Sequence, residues 1–95
     1  MDHAAGTRPT TNGTTATSVV VGSPGAHVKN LGGAGAVVYV RSDGVAAANA
    51  APQCYPLDPG SEWDFWFDGD SGTISLFGPD GTTLSVIPYR ARSVG

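Results

Sequence analysis

The sequence predicts an all-β protein: a single small antiparallel β-sandwich or jelly-roll-like barrel with a flexible N-terminal arm. Three observations lead there. Fourteen glycines and seven prolines among 95 residues interrupt the chain too often for a helical bundle. Runs rich in β-branched and aromatic residues recur at a spacing of about 8–12 residues, the rhythm of a sandwich or small barrel. No segment shows helical periodicity; the alanine-rich stretch Val45-Ala46-Ala47-Ala48-Asn49-Ala50-Ala51 lies between Asp43-Gly44 and Pro52 and is too short to hold a helix without tertiary support.

The elements follow in order. Residues 1–14 carry Gly6, Pro9, Asn12 and Gly13 among four threonines, too little apolar surface to order themselves, and are expected to form a mobile arm able to reach a neighbouring subunit through Arg8 and Pro9. Residues 15–89 form the domain. Its first strand is Thr15-Ala16-Thr17-Ser18-Val19-Val20-Val21, stopped by Ser23-Pro24-Gly25. The central strand is Val37-Val38-Tyr39-Val40-Arg41, closed by Asp43-Gly44. Ala26-His27-Val28-Lys29-Asn30-Leu31 precedes it, and the glycine-rich link Gly32-Gly33-Ala34-Gly35 suits a hairpin between the two.

Gln53-Cys54-Tyr55-Pro56-Leu57 is at most an edge strand, since Pro56 lacks a ladder donor. Asp58-Pro59-Gly60 turns the chain into residues 61–67. There alternation puts Trp63, Phe65 and Phe67 on a core face and Glu62, Asp64 and Trp66 on the other. Thr73-Ile74-Ser75-Leu76-Phe77 and residues 82–89 complete the set, with Ile74, Leu76, Leu84 and Val86 inward and Pro88 marking a strand end near a sheet edge. Residues 90–95 are a short basic tail.

Trp66, Phe77, Ile87 and Tyr89 fall opposite the inferred core residues of their own strands. Either both sheet faces are covered or these side chains make a partner surface, because monomers seldom leave such a patch in water.

Five basic against eight acidic residues give a net charge of −3, with no basic cluster to neutralise a phosphate backbone, so nucleic acid is not an expected partner. No secretory signal opens the sequence and no apolar run is long enough to cross a bilayer, so synthesis in the cytoplasm and no membrane contact are expected. Cys54 is alone, which excludes an internal disulfide and a multi-cysteine zinc site.

The catalytic motifs are weak. Gly69-Asp70-Ser71-Gly72 copies the tetrapeptide around a chymotrypsin-like nucleophile, and His27, Asp43 and Ser71 occur in that order, but such a triad needs two barrels where this chain can build one domain. A glycine-rich turn explains the four residues. Asp68-x-Asp70-x-Gly72 starts like a calcium loop, yet Gly72 holds a ligand position and Pro79 stands where a closing glutamate belongs. Cys54 with His27 lacks a third member, and a buried structural cysteine is the expectation. No enzyme activity, cofactor or metal is expected.

Four segments carry a family resemblance: Val28-Lys29-Asn30-Leu31-Gly32, Val37-Val38-Tyr39-Val40-Arg41, Leu57-Asp58-Pro59-Gly60 and Thr82-Thr83-Leu84-Ser85-Val86. An N-x-G turn leading to a VYV strand, with L-x-P-G opening the next, resembles small capsid decoration, or cement, proteins of tailed bacteriophages, those of phages infecting actinobacteria above all. The resemblance spans about residues 15–89. It implies a non-enzymatic β-sandwich that clusters, often as a homotrimer, on the outside of an assembled head and bridges subunits of the major capsid protein. The virion surface is then the expected location. The alternative is a carbohydrate-binding or tail or fibre accessory module of a virion, with Trp66 and Tyr89 stacking on sugar rings.

Overall fold

A computed structural model describes residues 6–22, 25–43, 45–49, 51–66 and 72–89. The described residues form seven strands: β1 (Thr17–Val20), β2 (Gly25–Asn30), β3 (Val38–Arg41), β4 (Tyr55–Leu57), β5 (Glu62–Trp66), β6 (Thr73–Phe77) and β7 (Leu84–Tyr89). They pair antiparallel throughout, in a four-stranded sheet of order β1-β6-β3-β4 and a three-stranded sheet of order β5-β2-β7. Ala26, Val28, Phe65, Leu84 and Val86 from one sheet meet Val38, Val40, Leu57, Ile74 and Leu76 from the other in one buried cluster. This is the expected all-β sandwich. The inward assignment of Ile74, Leu76, Leu84 and Val86 holds, since all four are fully buried.

The expected hairpin between the second and third strands does not form. β2 pairs with β5 and β7, whereas β3 pairs with β4 and β6, so the link between them arches from one sheet to the other. Asn30 explains the arch. Its side chain is fully buried, donates from Nδ2 to the carbonyls of Ala36 (2.6 Å) and Leu57 (2.9 Å), and accepts at Oδ1 from the Gly32 amide (2.8 Å). Those bonds satisfy backbone groups of the link and of the end of β4 that would otherwise be left without these partners. The same residue's backbone binds the next turn, Asn30 N to Ser61 O and Gly60 N to Asn30 O, so one asparagine ties the arch to the start of β5.

Part of the expected arm is seated on the sheet. Residues 7–11 lie along the outer edge of β7, with Thr7 N to Val86 O at 2.8 Å, Val86 N to Thr7 O at 2.9 Å, Leu84 N to Pro9 O at 3.0 Å and Thr11 N to Thr82 O at 2.9 Å. Thr11 is buried, and its hydroxyl donates to Pro79 O at 2.6 Å. A free sheet edge is a row of unpaired donors and acceptors, and a polar strip can pair with it through backbone alone. Residues 1–5 and 90–95 lie outside the described residues.

Trp63, expected in the core beside Phe65, is 53% exposed. Alternation put it on the correct side, opposite Val28, but β5 is an edge strand and Trp63 overhangs the seam between the sheets. There it stacks on Tyr55 of β4 with ring centroids 5.3 Å apart, while Tyr55 meets Phe65 edge-on at 5.6 Å. Phe67 lies outside the described residues. β4 is the edge strand that Pro56 required. The described part of the alanine-rich stretch is irregular; Ala47 is buried and its amide donates to the Ser75 hydroxyl at 2.8 Å, which covers an otherwise polar position on β6.

Candidate functional site

The outer face of the three-stranded sheet brings His27, Lys29, Glu62 and Asp64 together with Trp66 and Tyr89. Cross-strand register sets three rows: Trp66, Gly25 and Tyr89; Asp64, His27 and Ile87; Glu62, Lys29 and Ser85. Because side chains alternate along a strand, every member of these rows points away from the core. Trp66 is 61% exposed.

In the first row the two aromatic rings meet across the central strand, stacked at 5.3 Å and 19°. Gly25 makes this possible. A Cβ there would sit 2.4 Å from the Phe65 carbonyl oxygen and 2.7 Å from Trp66 Cε3, so only the absence of a side chain lets the indole lie down over β2. The Tyr89 hydroxyl donates to Asp64 Oδ1. Its pKa is pushed up to about 12, by burial first and then by the hydrogen bond to Asp64 and the charge of that carboxylate.

In the second and third rows His27 is clasped between carboxylates, Nδ1 to Asp64 Oδ1 at 2.7 Å and Nε2 to Glu62 Oε1 at 2.8 Å. A neutral imidazole would turn a lone pair toward one of these anions, so the arrangement favours the doubly protonated ring. Burial, the largest single influence, pulls the His27 pKa down, but the hydrogen bonds and charges of Asp64 and Glu62 together outweigh it and leave it raised. Lys29 Nζ lies 3.9 Å from Glu62. Two anions and two cations thus offset one another beside the aromatic pair.

The expected partner residues separate into two groups. Trp66, Ile87 and Tyr89 share this face, and Ile87 is half-buried opposite His27. Phe77 does not join them: it lies on β6 in the other sheet, opposite Tyr39, half-buried. Pro9 is held against β7 and Arg8 is exposed beside it. The His27 array went unread in the sequence as a unit. Glu62, Asp64 and Trp66 were visible as one face of β5, but the register that carries His27 between the carboxylates is a tertiary fact.

The described residues of the catalytic motifs have these surroundings. Both nitrogens of His27 are taken by Asp64 and Glu62, Asp43 is paired with Arg41 through two hydrogen bonds, and Cys54 is buried. Ser71, Asp68 and Asp70 lie outside the described residues. Among the described residues no group of three or more His, Cys, Asp or Glu is arranged to hold a metal ion, in keeping with the two carboxylates approaching His27 from opposite ends of its ring. No helix among them is long and apolar enough to cross a membrane.

The arrangement offers an indole face for stacking, two half-exposed carboxylates and a shallow cleft of about 380 Å³ lined by His27, Glu62, Trp63, Asp64 and Trp66. Fold and face together describe a small β-sandwich with a preorganised aromatic surface. No family model, curated protein or solved structure matches the chain.

Proposed function

We propose that this protein is a non-enzymatic structural module of a phage virion, a decoration protein that grips the outside of the head and bridges subunits of the major capsid protein through the outer face of its three-stranded sheet. The observation that carries the reading is the Trp66–Tyr89 pair. A large indole is held flat and exposed by Gly25 and by a stacked tyrosine, with the charges beside it already paired. Such a surface loses little side-chain freedom when a partner covers it, which is what a protein hot spot needs. The family resemblance supplies the choice of partner. Two of its segments, Asn30-Leu31-Gly32 and Leu57-Asp58-Pro59-Gly60, are joined in space by the Asn30 side chain and backbone. A module that binds only the assembled shell stabilises it by mass action.

The test is the copy number and position of the chain in purified particles, together with binding of the isolated protein to empty heads. The reading expects a copy number that scales with the capsomers and, for Trp66→Ala, affinity weaker by about thirtyfold. A handful of copies confined to the tail, or full binding by Trp66→Ala, refutes it.

One observation favours a second reading, carbohydrate binding: the cleft beside β5 brings two indoles and two carboxylates together, the mixture of stacking faces and polar groups that sugar sites use. A glycan array separates the two, since a decoration protein leaves it blank.

A further inference from the structure

Among the described residues the sandwich has four strand edges, and three of them are guarded. Residues 7–11 occupy the edge of β7. β4 is three residues long and carries Pro56. β5 bears Glu62 and Asp64, and the Ser42 hydroxyl donates to its Trp66 carbonyl at 2.9 Å. These are the devices by which proteins keep an edge from recruiting another chain.

Among the described residues β1 has none of them. It is the outermost strand of the four-stranded sheet, it contains no proline, and no charged residue occurs anywhere between Pro9 and Ala26. Val20 on this strand is 82% exposed, the most exposed large hydrophobic described. The direction of its backbone groups follows from the ladder. Val21 N donates to Gly72 O at 2.9 Å, so with Val19 opposite Ile74 and Thr17 opposite Leu76, the odd-numbered residues bond inward to β6. Ser18 and Val20 therefore direct their N–H and C=O groups outward.

We infer that β1 is a self-association edge, pairing antiparallel with β1 of a second copy about a two-fold axis at Val19. In this register Ser18 of each copy lies opposite Val20 of the other, so the two outward-directed residues bond each other and four backbone hydrogen bonds form. The faces also match. Ser18 and Val20 both project from the outer face, and Val19 meets its own copy on the inner face, where Val19 and Val21 are packed against the core yet only partly buried. Two four-stranded sheets become one continuous sheet. A second copy suits this edge because its two outward-directed residues pair with themselves in this register and the strand brings no charge to the contact.

A four-residue strand pair buries well under the roughly 1,200 Å² of a standard stable interface, so the dimer is weak and depends on concentration. The inference is independent of the capsid reading, and it predicts a two-fold pair where the family resemblance implies a trimer.

Sedimentation equilibrium of the full chain over a wide concentration range tests it, alongside Ser18→Pro and Val20→Lys. The wild type forms a reversible dimer. Ser18→Pro deletes two of the four bonds without touching the ladder to β6 and weakens association about ten- to a hundredfold, and Val20→Lys abolishes it. Amide exchange on the wild type gives a readout that needs no variant: Ser18 and Val20 gain protection as concentration rises, while Val19 is protected throughout. A chain that stays monomeric at the highest concentration, a trimer, or a dimer untouched by either substitution overturns the inference.

Discussion

Replacing Asn30 tests the arch that separates β2 from β3. In Asn30→Ala the Leu57 carbonyl is left buried without its donor, and the Ala36 carbonyl and Gly32 amide, both nearer the surface, lose theirs. A buried group stranded in this way costs about 1–3 kcal/mol and partly hydrated ones less, which sums to about 3–4 kcal/mol for the site. For a domain of this size each kcal/mol moves Tm by about 4–8 °C, so a fall of about 15–25 °C is expected. Asn30→Asp sharpens the test. It keeps the acceptor for Gly32 but turns a carboxylate oxygen toward the carbonyl oxygens of Ala36 and Leu57. The folded state then favours the protonated acid, so its penalty is smallest below the ordinary aspartate pKa near 3.9 and grows as pH rises above it. Urea unfolding followed by tryptophan fluorescence at pH 3 and pH 7 measures both variants. If either variant lies within about 1 kcal/mol of wild type at pH 7, or if the Asp penalty does not change with pH, Asn30 does not clamp the arch as described.

Three further outcomes follow from the same geometry. The raised pKa of His27 means its contribution to stability is fully present below pH 6.5 and is lost as pH rises through the folded-state value above that; thermal melts across this window should show a decline in wild type that His27→Gln lacks. Gly25→Ala drives a Cβ into the Phe65 carbonyl and the Trp66 ring and should cost about 2–3 kcal/mol; an unchanged urea midpoint would show that the indole has somewhere else to go. Deleting residues 1–11 removes the backbone pairing along β7 and should destabilise the domain by about 3 kcal/mol, a loss that equilibrium unfolding of the truncated chain detects directly.

Strand positions were legible because turn residues bracket short apolar alternations, and both signals are local. Pairing was not. Val37-Val38-Tyr39-Val40-Arg41 reads as a strand whichever sheet it joins, and the glycine-rich link before it permits a hairpin as readily as an arch; the buried asparagine decides between them through contacts to residues 36 and 57. Trp63 shows the same limit from another side. Its parity was read correctly, but parity says nothing about whether a strand is central, and an edge leaves the inner face half open. Residues 7–11 read as polar and mobile because their order rests on backbone groups of β7, which leave no mark in the side-chain pattern. Alternation placed Trp66, Ile87 and Tyr89 on the outer face of their strands, whereas the split from Phe77 and the clasp around His27 both depend on which strands lie side by side.

Five of the six links between successive strands carry the chain from one sheet to the other; only β3 and β4 are neighbours both in sequence and in the same ladder. A molecule laced in this way gains little from drawing any single loop tight, because each strand's mates arrive from distant parts of the chain. Its assembly should be late, abrupt and slow, on the millisecond-to-second side of small-domain behaviour. The strip at residues 7–11 is the last stitch, held to the rim mainly through backbone hydrogen bonds, and is expected to loosen early when the fabric is warmed.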